Sequence, residues 1–167
     1  MSGAALEALT AEGLAAWHGL PPGLPPEAFA PALAIETEVL GMADLGLRKA
    51  LFRGGTLTAA GITVRVWVTP DESETLALDF LEAPTFAPTG AAWREALGEP
   101  VRLDTYRGTV PKAGAEWVWP QRGAVAFVNP ETDATWRALL FPAGDQAAYE
   151  NGFRLEQRAT RRPARRF

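Results

Sequence analysis

Between residues 62 and 81 apolar positions recur at every second residue. Ile62, Val64, Val66 and Val68 alternate with Thr63, Arg65 and Trp67, and after Thr69-Pro70-Asp71-Glu72-Ser73 a second run sets Leu76, Leu78 and Phe80 against Ala77, Asp79 and Leu81. A period of two sends alternate side chains to opposite faces of a strand, and a Pro-Asp turn between two such runs predicts a β-hairpin. Similar runs predict strands at Val101–Tyr106, Glu116–Trp119, Ala124–Val128 and Trp136–Phe141. Helical spacing appears in four places. Leu6, Leu9, Leu14 and Trp17 mark a short amphipathic helix stopped by Gly19-Leu20-Pro21-Pro22. Pro25 and Pro26 open a second helix that ends near Leu33, after a stiff proline-rich connector at 21–26. Thr89 caps a third over Gly90–Leu97, closed by Gly98 with Pro100 beyond, and a fourth covers Asp145–Phe153. Residues 37–53 are ambiguous and fit two short strands around Gly41–Gly46.

Two stretches match at a fixed offset. Val66-Trp67-Val68-Thr69-Pro70-Asp71 aligns with Ala126-Phe127-Val128-Asn129-Pro130-Glu131 sixty positions later, and Leu76–Leu81 then falls on Trp136–Phe141 without a gap. A short helix precedes each hairpin, which predicts an internal repeat over 27–84 and 88–142. The expected fold class is α+β: an antiparallel sheet built from two helix-plus-three-strand units, with the helices packed on one face of a single domain over 1–153.

The stretch Trp93-Arg94-Glu95-Ala96-Leu97-Gly98-Glu99-Pro100, followed by the aromatic strand Glu116-Trp117-Val118-Trp119 and by Gly123–Phe127, resembles the helix-β-β-β module of SmpA/BamE-type outer-membrane assembly lipoproteins. That module occurs in tandem in β-lactamase-inhibitor proteins. The resemblance spans roughly 88–141 and, more weakly, 27–82. It implies a non-catalytic scaffold whose sheet meets a partner protein. The chain lacks the lipid-attachment cysteine, secretory signal and disulfide of those families.

Composition removes several chemistries. The chain has 167 residues, of which 47% are hydrophobic and 22% charged, enough apolar material for a core without staples. With no Cys and one His, His18, it has no thiolate zinc site, cysteine nucleophile or multi-histidine metal centre. No uncharged run approaches the ~20 residues of a membrane span, and no basic-then-apolar leader opens the chain, so a cytoplasmic location is expected. The formal charge is −4, but residues 154–167 hold six arginines against Glu156, leaving ten basic against nineteen acidic residues elsewhere. An acidic body of this kind is not a nucleic-acid footprint. The Arg-rich tail is the one basis for contact with nucleic acid or an anionic membrane, and the favoured reading is a solubilising segment that is disordered or lies against its own acidic body.

No Gly-x-Ser-x-Gly turn and no phosphate-binding glycine loop occurs, and no cofactor is implied. Asp79, Asp104 and Glu116 lie in predicted strands, and acid–base chemistry needs two such carboxylates close together. Asp79 nevertheless shares a face with Arg65 of the adjoining strand, where a cross-strand ion pair explains it without catalysis. The aromatic residues point elsewhere. Arg65, Trp67 and Asp79, with Tyr106, Trp117 and Trp119, form the candidate partner-binding set, because tryptophan, tyrosine and arginine dominate interface hot spots. The second hairpin is apolar on both faces and must be covered, by the chain's own N-terminal helix or by another molecule, a second copy included. The expected function is therefore non-catalytic protein binding, in an inhibitor or immunity-type protein that docks an aromatic sheet face on a basic partner such as a nuclease. The alternative is a small enzyme or ligand-binding domain whose sheet–helix pocket carries the carboxylates.

Overall fold

A computed structural model describes residues 33–57, 62–82 and 87–155. The helices expected before residue 33, His18 and the Arg-rich residues after 155 lie outside the described residues. One antiparallel sheet holds eight strands: β1 (Leu33–Leu45), β2 (Arg48–Leu57), β3 (Ile62–Val68), β4 (Thr75–Phe80), β5 (Val101–Arg107), β6 (Val110–Trp119), β7 (Ala124–Val128) and β8 (Thr135–Leu140). Their spatial order is β1-β2-β3-β4-β8-β7-β6-β5. Among the described residues two α-helices accompany them, α1 (Gly90–Leu97) and α2 (Gln146–Gly152), capped by the side chains of Thr89 and Asp145.

This order corrects the expected architecture. The chain forms two four-stranded meanders joined through β4 and β8, and not two helix-plus-three-strand units. Residues 33–57, read as a helix end and two short strands, are two long strands. The alternation in β1 is blurred by register shifts between Ile35 and Val39 and between Val39 and Gly41, and each such bulge moves side chains to the other face. The helices also lie on opposite faces. Trp93 of α1 joins a core cluster with Val64, Val66, Phe80, Trp117, Trp119 and Ala126, whereas Tyr149 of α2 joins Leu45, Trp67, Ala77, Val118, Val125, Phe127 and Leu139. Central strands that are apolar on both faces need cover on both, and two helices on one side could not supply it.

The sixty-residue offset persists in the ladder. Val66 faces Leu78 and Trp67 faces Ala77, then the register slips so that Val68 faces Thr75. Ala126 faces Ala138 and Phe127 faces Arg137, then the same slip sets Val128 opposite Thr135. In the middle of the sheet Asp79 stands opposite Leu139, its own sixty-residue counterpart, so a local twofold axis passes between β4 and β8 at that pair. The outer hairpins correspond in their turns, at an offset of sixty-two. Each turns through two residues with a left-handed glycine first, Gly46 (φ 60°) in one and Gly108 (φ 66°) in the other.

The sheet is rolled. Arg154, just after α2, accepts a hydrogen bond at its carbonyl from the amide of Gly46 (2.6 Å), beside β1, while its guanidinium reaches the carbonyl of Asp104 on β5 (2.7 Å) and Glu116 on β6. Strands from the two ends of the eight-strand order thus meet at one residue, with α2 inside the curl. At Gly46 a Cβ would lie 2.2 Å from the Asn151 carbonyl oxygen, so only glycine permits this closure.

Candidate functional site

The face expected to be outward is a second core, and this corrects the picture of an open aromatic patch. Trp67 is 2% exposed and Asp79 0%. β3 and β4 place Arg65 opposite Asp79 and Trp67 opposite Ala77, as the alternation implies. The acid's ion-pair partner, however, comes from β8. Arg137 donates twice, Nε to Oδ1 at 2.9 Å and Nη2 to Oδ2 at 2.6 Å, and the Trp67 indole N–H donates to Oδ2 at 3.0 Å. A bidentate guanidinium plus an indole satisfies a carboxylate that burial would otherwise make costly. Arg65 lies over the Phe52 ring at 4.2 Å, and Phe52 in turn tilts against Trp67 at 5.1 Å. Burial lowers the pKa of Arg65, with Asp79 opposing that shift and Arg137 adding to it.

Glu116 forms a second polar knot on the same face. Its Oε1 accepts from the Tyr149 hydroxyl at 2.5 Å and its Oε2 from Arg154 Nε at 2.9 Å. Desolvation dominates and pushes the Glu116 carboxyl above its ordinary value, against the downward pull of the Tyr149 hydrogen bond and the Arg154 charge. Burial likewise raises the Tyr149 hydroxyl, with the neighbouring carboxylate adding to the effect. Asp104, the third candidate carboxylate, accepts from the Gly114 amide at 2.8 Å. The three acids therefore occupy β4, β5 and β6, each with its own partners. Among the described residues no group of three or more His, Cys, Asp or Glu is placed to hold a metal ion, and no helix is long and apolar enough to cross a membrane.

Trp117 and Trp119 sit on the opposite face, packed with Trp93 of α1. Trp93 and Trp119 stack with ring centroids 6.1 Å apart, and Trp119 donates to the Gly98 carbonyl at 2.8 Å. The six candidate residues thus divide between two faces. Arg65, Trp67 and Asp79 come together, Trp117 and Trp119 join the other core, and Tyr106 is half-buried on β5, the terminal strand.

Sequence reasoning missed Arg137, Tyr149 and Arg154. For Arg137 there was a signal: a lone charge between Trp136 and Ala138 in an otherwise apolar strand calls for a buried partner of opposite sign.

Two surface features remain. Along β5, Arg102 covers the Trp117 ring at 4.4 Å and Arg107 approaches the half-buried Trp136 at 5.4 Å, flanked by exposed Val101 and Val110. A cleft of about 400 Å³ opens where α1, β5, β6 and α2 meet, lined by Leu97, Glu99, Val101, Trp119, Arg122 and Asp145 among others. It contains none of Asp79, Asp104 or Glu116. No protein family, no curated protein and no solved structure matches the chain, so the resemblance over residues 88–141 rests on the residues quoted for it.

Proposed function

We propose that this chain is a non-catalytic protein-binding module, in its finer form an inhibitor or immunity-type protein, that engages its partner along the β5 edge. The supporting observation is the set of polar and aromatic side chains of that terminal strand: Arg102 over the Trp117 ring of β6 on one face, Arg107 toward the Trp136 ring of β8 on the other, and half-buried Tyr106 next to Arg107. Terminal strands carry backbone groups that an incoming strand can pair, and arginine–aromatic clusters supply hot spots. The strand carboxylates add no chemistry to this reading. Asp79 and Glu116 are each spent on internal partners, which leaves neither positioned as a free acid or base. The arginines of this edge suit carboxylates or backbone carbonyls of the partner strand that they meet, and the acidic balance of the rest of the chain acts on the partner's approach at longer range.

The test is retention of a stoichiometric partner from native extract by the purified chain, compared with a folded Tyr106→Ala, Arg107→Glu variant. Retention lost in the variant, with an association rate that falls as salt rises, supports the reading. Equal retention by both, or none by either, removes it. The second reading, a ligand-binding domain, draws on the cleft beside α1. Binding of a small molecule that Arg122→Ala abolishes would replace the first.

A further inference from the structure

Arg65 is a cation that the fold holds in place without using its donors. On β3 it stands directly opposite Asp79, yet that carboxylate is filled from elsewhere. Oδ1 accepts from Arg137 Nε, and Oδ2 accepts from Arg137 Nη2 and the Trp67 indole. The Phe52 ring, whose centroid lies 4.2 Å from Arg65 Cζ, engages the charge but offers the N–H groups no oxygen. Among the described residues the Arg65 Nε is buried and meets no hydrogen-bond acceptor. A buried donor left unmet calls for an acceptor that the chain itself does not supply.

Charge points the same way. Two arginines against one carboxylate leave the cluster net positive, and Arg137 repels Arg65 from the far side of β4. Arg137 spends Nε and Nη2 on Asp79, which leaves its Nη1 uncommitted. Both side chains are partly exposed, Arg137 by 28%, so a small solute reaches them without unfolding. The ladder does not require a cation at Arg65 either, because its counterpart sixty residues later is Val125.

We propose that Arg65 and Arg137 bind a small oxyanion, the carboxylate or phosphate group of a soluble ligand, beside Asp79. The oxyanion accepts from Arg65 and from Nη1 of Arg137, supplies the missing negative charge and leaves the Asp79–Arg137 fork intact. Carboxylate and phosphate share this chemistry, since guanidinium donors match the oxygens of either. The site lies on β3 and β8, so the inference is independent of the reading given to β5.

The arginine Nε–H resonances of the full chain test the site, titrated with sodium acetate and with sodium phosphate, with sodium chloride at matched ionic strength as the screening control. The Arg65 signal should shift and saturate with acetate or phosphate, and the tighter of the two names the ligand group. Arg65→Lys keeps the charge but removes the Nε donor, so binding read at the Arg137 signal should weaken by about tenfold, the scale of one charge-assisted hydrogen bond. Arg65→Gln should abolish saturation there. Failure of both anions to saturate the Arg65 signal in the unaltered chain overturns the proposal. So does an equal response to chloride, unchanged affinity in Arg65→Lys, or saturation at Arg102 and Arg107 with Arg65 unmoved, which would place the anion on β5.

Discussion

The two meanders share strand order and hairpin register, yet they fill one face differently at equivalent positions. The first half carries Arg65, Trp67 and Asp79 where the second carries Val125, Phe127 and Leu139, and Arg137 of the second half stands where the first has Ala77. One backbone therefore accommodates both an apolar patch and a buried ion pair. The comparison implies that the pair is not what makes the ladder. Buried pairs contribute little net stability over apolar residues of similar volume, but losing one partner strands a charge.

The largest expected effect follows from that asymmetry. Asp79→Leu alone should cost about 3–5 kcal/mol, because Arg137 loses its counter-charge. Adding Arg137→Ala, so that both positions carry the residues of the other half, should recover most of the loss in urea denaturation. Equal loss in single and double variants would break the equivalence of the halves. Next is the closure at Arg154. Arg154→Ala should cost about 2–3 kcal/mol at pH 7, the scale of hydrogen bonds to a buried carboxylate. The cost should shrink at lower pH, where Glu116 takes up a proton and no longer needs the guanidinium.

Smaller effects sharpen the contrast between buried and exposed carboxylates. The Glu116 carboxyl is raised in the fold, so the folded state binds more protons than the unfolded one, and its contribution falls as pH rises through the raised value. Glu116→Gln should therefore gain stability relative to the wild type as pH rises above the ordinary carboxylate range. Asp71, in the β3–β4 turn, has the opposite sign. Hydrogen bonds from Ser73 and Thr69 lower it to about 2, so its contribution is present above the ordinary carboxylate range and fades as pH falls toward that value. Asp71→Asn should weaken the fold slightly at pH 6 and not at pH 2, a difference readable in Tm.

Strands β3, β4, β7 and β8 were legible because alternation and turn chemistry are local, and α1 because Thr89 and Gly98 bracket it. Strand β1 was not, since its bulges destroy the period that identifies a strand. The face of Trp67 was assigned correctly by phase but taken as open. Its cover depends on partners far along the chain, Arg137 fifty-eight residues from Asp79 and Arg154 thirty-eight from Glu116. Nothing in a short window of sequence encodes such a meeting. The split of the tryptophans has the same origin, since α1 claims Trp117 and Trp119 from one side while α2 lies on the other.

The pairing of β4 with β8, and not with β5, has a consequence for how the chain reaches this state. During synthesis the first meander is complete by Phe80, but its inner edge, ending in Leu78, Asp79 and Phe80, has no partner until Ala138–Leu140 emerges. Arg154 can draw the two ends of the sheet together only later still. A nascent chain so arranged exposes an apolar strand edge through the making of some sixty residues, and pairing at that sequence separation is slow. Chaperone demand and aggregation in this protein should therefore concentrate on the half that is made first.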